Sequence, residues 1–341
     1  MKHLSIATPS LLSTLVATLA LSWASATVPA AEPAEVDGLR LNQLQTIGTH
    51  NSYHVRDPAR PAKGRYAEWN YSHPPLEVQL DRGVRSFELD LHYRQGQFEV
   101  FHVPALDEGT TCPKLSDALA AVRRWSEAHP RHVPISFLFE LKKEGPRLDK
   151  RIKDIDAEGF EKLDAQLRAG FAAGRIITPD EVRGSAATLR DAVTAGGWPT
   201  LAQCRGKVLF ILHDDDRQRA LYTAGHDSLR GRVMFVRSDP ARDDAATLVM
   251  DNPRDPEIGP LAKAGYLIRT RADSGLNTAP SGQPARRDAA FASGAHILST
   301  DYPAGEAAAQ TGYVVEFPAA APARVNPVNG PDALRGKAVA E

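Results

Sequence analysis

The chain has 341 residues, with 41 basic against 42 acidic side chains and a formal net charge of −1. A surface that tracks nucleic-acid phosphates needs a basic excess, so this balance excludes nucleic acid as the main partner. Beyond the first thirty-odd residues no stretch is apolar enough for a membrane span.

Residues 1–31 read as a cleaved secretory signal. Lys2 and His3 precede an apolar run from Leu11 to Leu21, and small residues follow, with Ala24-Ser25-Ala26 as one cleavage site and Ala30 or Ala31 ending another. The expected location is therefore secreted or periplasmic. In that oxidising compartment Cys112 and Cys204 are allowed to bridge but not compelled to. One follows a strand and the other precedes one, and in a parallel barrel those loops lie at opposite ends.

Leu44 to Gly48 is a short strand that runs into Thr49-His50-Asn51-Ser52, followed by a loop from Tyr53 to His73 rich in Tyr, Trp, Arg and Pro. Pro74-Pro75 open a helix through Leu76, Val78 and Leu80 that ends at Gly83. Val84 to His92 alternates strictly: Phe87, Leu89 and Leu91 share one face, while Ser86, Glu88, Asp90 and His92 share the other. A turn over Arg94 to Gln97 sends the chain back through Phe98 to His102, which should bring His102 beside Glu88 and Asp90. After Cys112-Pro113, Ser116 should cap a helix that ends at His129-Pro130. Further strands are expected over Val133 to Lys142, Arg175 to Ile177, Lys207 to Leu212, Arg232 to Val236, Tyr266 to Arg271 and Ala295 to Ser299, with a charged amphipathic helix from about Ala157 to Ala169. Eight strands with mostly helical connections predict one α/β domain, a (β/α)8 TIM-like barrel over residues 32–317, irregular in strands four to six. Residues 318–341, rich in Pro and Ala, read as a loosely held tail.

The active site of such a barrel lies at the C-terminal ends of its strands. There the pattern collects His50 and Asn51, Glu88 and Asp90, His102, Glu140 and Lys142, Arg269, Arg271 and Asp273, then Asp301 and Tyr302. Two carboxylates on one strand face repel unless a cation or a proton lies between them. Three carboxylates and an amide make an oxygen cage suited to Ca2+, and two histidines beside a hard cation suit acid/base work on a phosphodiester. Each residue also has a plainer reading. Glu88 and Asp90 would pair with Arg269 or Arg271, Glu140 with Lys142 or Lys143, and Asp214-Asp215-Asp216 would be a solvated loop rather than a second metal site. Tyr53, Tyr66, Trp69 and Tyr71 are open to stacking on a sugar, entering a membrane surface or packing the loop onto the barrel.

The order His50-Asn51, Glu88-Leu89-Asp90, His102, Glu140 resembles the calcium-dependent phosphatidylinositol-specific phospholipase C family, in its secreted bacterial branch, within the phospholipase C-like phosphodiesterases. The late segments Thr270 to Asp273 and Ser299 to Tyr302 extend the likeness over nearly the whole mature chain. The resemblance implies Ca2+ held by Asn51, Glu88, Asp90 and Glu140, and catalysis by His50 and His102. It implies substrate contact by Lys142 and Arg271. The implied reaction is cleavage of phosphatidylinositol to diacylglycerol and inositol 1,2-cyclic phosphate. The expected partner is a phospholipid or glycerophosphodiester, met by a monomer with transient membrane contact allowed. Glycerophosphodiester phosphodiesterases are the runner-up, but they usually begin with His-Arg-Gly where this chain has His50-Asn51-Ser52. A catalytically silent barrel that binds sugars or lipid head groups would lack an acid or a histidine, and none is missing.

Overall fold

The computed structural model describes Met1 and residues 33–59, 69–143, 145–214, 216–274, 283–309 and 311–341. The expected signal and Tyr66 lie outside the described residues. Eight parallel strands form the barrel: β1 Leu44–Thr49, β2 Val84–Arg94, β3 Ile135–Leu141, β4 Val208–Leu212, β5 Phe235–Val236, β6 Thr247–Val249, β7 Leu267–Arg271 and β8 Ile297–Thr300. They neighbour one another in the order β5-β4-β3-β2-β1-β8-β7-β6. The ring nearly closes at a parallel bridge between Arg237 and Thr247, where the Thr247 hydroxyl also donates to the Val236 carbonyl at 2.7 Å.

Helices Leu76–Asp81, Leu115–Ala128, Ala157–Gly170, Asp216–Thr223, Ile258–Lys263 and Gln283–Ala292 cover most of the connections. The 157–170 helix starts where the Asp156 carboxylate accepts the Gly159 N–H at 2.8 Å. The 115–128 helix starts one residue before the expected cap Ser116, and the Asp117 carboxylate accepts the Lys114 N–H at 3.2 Å. The interior of the wall is aliphatic and aromatic: Phe87, Phe137, Phe139 and Phe210 are fully buried and their rings meet across β2, β3 and β4.

Three expectations need correction. Arg175 to Ile177 is not a stave; Ile176 makes a single bridge to Val208, because Thr178 at once caps the helix Pro179–Arg183. The sixth stave is Thr247–Val249, a three-residue strand in the 239–259 region. The tail is not loose. Strand β2 pairs with β1 only from Ile47 to Thr49, which leaves the start of β1 open on that side. Ala323–Val325 fills that slot antiparallel to Leu44–Thr46, and Ala338–Val339 pairs onto Ala323 and Arg324. The Glu341 carboxylate then accepts two bonds from the buried Arg85 guanidinium, at 2.8 and 2.5 Å. Cys112 and Cys204 are both free thiols, buried, and burial pushes each up to about 12.

Candidate active site

β1, β2 and β3 lie side by side with Asp90 directly opposite Glu140, so the strand register itself puts two carboxylates together at the C-terminal rim. Asn51, one residue beyond His50, takes a left-handed conformation at φ 46°. That turns the chain sharply and buries its amide, which bonds the Tyr71 hydroxyl. Asn51 Oδ1 and Asp90 Oδ1 are both buried and without a hydrogen-bond partner. Two orphaned buried acceptors, one of them on the carboxylate opposite Glu140, are what an oxygen-ligated cation would satisfy.

The other oxygens are engaged. Arg269 Nη2 donates to Glu88 Oε2 at 2.6 Å and to Ser299 Oγ at 3.2 Å, and Arg269 also pairs with Asp251. Lys142 Nζ lies 2.9 Å from Asp90 Oδ2 and 3.1 Å from Glu140 Oε1. The Tyr53 hydroxyl donates to Asp90 Oδ2 at 2.8 Å. Burial raises the Glu88 carboxyl, but the Arg269 guanidinium, with His50 behind it, holds it well below the usual range. Burial pushes Asp90 up to about 7, more than Lys142 draws it down. The same pairing raises the Lys142 ammonium against its own burial.

Each histidine has a carboxylate. His50 Nδ1 lies 2.8 Å from Asp301 Oδ1, with Nε2 3.7 Å from Glu88 Oε1. Arg271 Nη2 donates to the other Asp301 oxygen at 2.8 Å. Asp273 lies beside them, accepting the Thr300 hydroxyl and the Asp301 N–H. Burial and the neighbouring Asp301 raise Asp273 to about 6; burial also raises Asp301, but His50 and Arg271 overcome it and keep Asp301 ionised. His102 Nδ1 lies 2.8 Å from Asp107 Oδ2. The hairpin forms as expected, with Arg94 opposite Gln97 and Gln95-Gly96 both at positive φ. Past it the chain folds back through Val103 and Asp107, so His102 pairs with Asp107 rather than with Glu88 or Asp90.

The expected site residues therefore sit on one rim, with some in their plainer roles. Glu88 is an ion-pair partner of Arg269, Lys142 joins Asp90 to Glu140, and Arg271 braces Asp301. His92 is buried, its Nε2 donating to the Phe101 carbonyl oxygen at 3.1 Å, and burial lowers it to about 4. The described loop aromatics pack on the mouth: Tyr53 on Asp90, Tyr71 stacked on His54 at 4.2 Å, and Trp69 edge-on to His102 at 5.5 Å. Asp214 is buried rather than solvated; it accepts the Leu141 N–H at 2.7 Å and clips β4 to β3. Sequence reasoning missed Asp107 and His54. Asp107 lies five residues beyond His102 in an irregular turn, where spacing carries no signal.

A family model, phosphoinositide phospholipase C, Ca2+-dependent, matches residues 39–96 and 92–327. The chain belongs to this family. It is accordingly a phosphatidylinositol-specific phospholipase C, a phosphodiesterase whose metal is calcium. Solved structures share its fold. A Ca2+-dependent phosphatidylinositol-specific phospholipase C from Streptomyces antibioticus aligns with a TM-score of 0.57 and 21% identity over 77% of this chain and 95% of that one. A calcium-dependent phosphoinositol-specific phospholipase C from Pseudomonas sp, in an apo form and a myoinositol complex, aligns with a TM-score of 0.57 and 18% identity over 83% and 98%. No curated protein matches the chain. Asn51, Glu88, Asp90 and Glu140 offer only oxygen donors, and two of those oxygens lack partners, so the residues present fit calcium.

Proposed function

We propose that the enzyme is exported, removes residues 1–31, and cleaves phosphatidylinositol to diacylglycerol and inositol 1,2-cyclic phosphate. The observation that carries this reading is a pair of His–Asp couples, His50–Asp301 and His102–Asp107, flanking the orphaned Asn51 and Asp90 oxygens. Two separately held histidines suit a reaction that removes one proton and returns another. Asn51, Glu88, Asp90 and Glu140 hold calcium, which lowers the pKa of the inositol 2-hydroxyl and offsets charge on the phosphate. Asp301 fixes the His50 ring by its Nδ1, and Nε2 takes the proton of the attacking hydroxyl. The attack is intramolecular, so holding the ring in place lowers most of the entropic barrier. His102, held by Asp107, protonates the departing diacylglycerol oxygen. Lys142, once displaced, and Arg271 supply positive charge to the inositol phosphate. The enzyme acts as a monomer in transient contact with the membrane that holds its substrate.

The test is phosphorus NMR of the mature protein with phosphatidylinositol, first with calcium and then with a chelator. A calcium-dependent inositol 1,2-cyclic phosphate resonance is expected. Calcium-dependent cleavage of glycerophosphodiesters alone would keep the residue roles and overturn the substrate.

A further inference from the structure

Strand β2 runs on for four residues past Asp90, to Arg94. Gln97–Val100 pairs back onto it, and that ladder ends where Leu91 meets Val100. Phe101 and His102 therefore have no backbone partner on β2. Side chains take over. His92 and Arg94, two residues apart, share one face of the strand. The His92 ring stacks on Phe101 with centroids 4.0 Å apart and 5° between planes. The Arg94 guanidinium lies over the same Phe101 ring, 4.7 Å from its centroid. His92 Nε2 also donates to the Phe101 carbonyl at 3.1 Å and reaches the His102 carbonyl at 3.3 Å.

Arg94 is itself pinned. Its Nε donates to Glu99 Oε2 at 2.7 Å, and its Nη1 to Asp149 Oδ2 at 3.1 Å and Glu108 Oε1 at 3.4 Å. Glu108 Oε1 in turn accepts the Ala105 N–H at 2.8 Å, inside the turn that joins His102 to Asp107. With three carboxylates around it and 12% of its side chain exposed, Arg94 is a fixed strut rather than a solvated charge. It holds the turn at both ends, through the Phe101 ring before His102 and through Glu108 after Asp107.

We infer that Arg94, with His92, is a positioning residue for His102: the two side chains grip Phe101 and hold the acid at a fixed distance from the calcium cage carried by the same strand. The inference rests on His102 acting as acid to the leaving group. His102 Nδ1 is taken by Asp107, so Nε2 presents the proton to the departing oxygen. That transfer needs Nε2 within hydrogen-bond reach of the oxygen while the attacking hydroxyl sits at the cage. β2 carries Glu88 and Asp90 in its middle and the grip at its end, so one strand sets the spacing between the two halves of the reaction. Arg94 touches neither substrate nor reacting atoms in this scheme; it acts through Phe101 and the turn.

The test compares phosphatidylinositol with an inositol phosphodiester of 4-nitrophenol, whose leaving group needs no protonation. His102→Ala should lose about 10²-fold or more in kcat on the lipid and little on the activated ester. Arg94→Met keeps the stem and loses the charge with its bonds. It should lose about tenfold in kcat on the lipid, with KM unchanged and the activated ester turned over within about twofold of wild type. Arg94→Lys, which keeps the charge but not the planar fork, should recover part of that loss. Equal losses on both substrates for Arg94→Met, or no loss on either, would make Arg94 an ordinary structural ion-pair residue and overturn the inference. Equal losses for His102→Ala would instead refute the acid reading itself, whatever Arg94 does, and the inference falls with it. Should Arg94→Met not fold, Phe101→Leu decides by the same comparison, since it stays apolar but removes the gripped ring. A loss confined to the lipid supports the inference, and an equal loss on both substrates overturns it.

Discussion

Lys142 is the residue whose replacement most directly tests how the cage works. Its ammonium bridges Asp90 and Glu140 at 2.9 and 3.1 Å, on oxygens that the proposed calcium site needs. Calcium bound at that site would have to move it. At an effective dielectric constant of about 20, unit charges about 3 Å apart attract by roughly 5 kcal/mol, but the ammonium regains hydration as it swings out from a position only 16% exposed. Charge-assisted hydrogen bonds retain about 1.5–3 kcal/mol each after that exchange. Taking the lower figure for two bonds, displacement costs about 3 kcal/mol. Lys142→Met should therefore bind calcium about 10²-fold tighter, since 1.4 kcal/mol is a factor of about ten. Loss of Lys142 also lets Asp90, already at about 7, rise further, so a proton would compete with the ion near neutrality. Isothermal calorimetry at pH 9 removes that competitor. Unchanged or weaker calcium binding there would refute the displacement argument, and with it the placing of calcium on Asp90 and Glu140.

Asp301→Asn should cost about 10²-fold or more in turnover while leaving calcium affinity within about twofold, because it releases the His50 tautomer and touches no proposed ligand; paired kinetics and calorimetry check both halves. Buried neutral His132 and His296, each lowered by burial to about 4, should make stability fall as acid is added. The unfolded chain takes up protons near the ordinary histidine value, about 6.5, before the folded one does, so the loss runs from about pH 6.5 down to 4 at up to about 3 kcal/mol per residue. Urea midpoints that stay flat across that window would contradict it. Glu341→Ala strands the Arg85 guanidinium, which is 3% exposed, and should cost about 3 kcal/mol, seen as a lower urea midpoint without loss of calcium binding.

The barrel was legible wherever a strand was long enough to show its period. Val84 to His92 alternates for nine residues, although both of its faces are buried in the barrel. Thr247–Val249 was not legible, because three residues between acidic loops carry no period; only the neighbours on either side define it as a stave. The tail misled for a different reason. Its Pro/Ala composition resembles a linker, yet what orders it is an empty edge of β1, a vacancy created nearly three hundred residues upstream. In the site, residues that end strands were readable, since register brings strand ends to one rim. Asp107 and His54 were not, because an irregular turn and a tyrosine loop bring them together. Ion pairing by Lys142 and Arg271 was one of two open readings in the sequence, but Asp301 as the partner of Arg271 was not legible, since either side chain reaches several partners.

The joint between β5 and β6 gives the ring a vertical seam. All other staves abut through two or more register pairs, whereas this one is held by the Arg237–Thr247 bridge, and its connecting loop, 237–246, carries no helix. The staves on either side are contiguous with their own neighbours, and the two arms meet again across β1 and β8. A chain cut between Asp239 and Asp243, where the loop is exposed, would leave two pieces that each retain an unbroken run of staves. Those pieces, co-expressed, should reassemble into a calcium-dependent enzyme, and the loop becomes a natural position for a split reporter whose signal depends on the reunited rim.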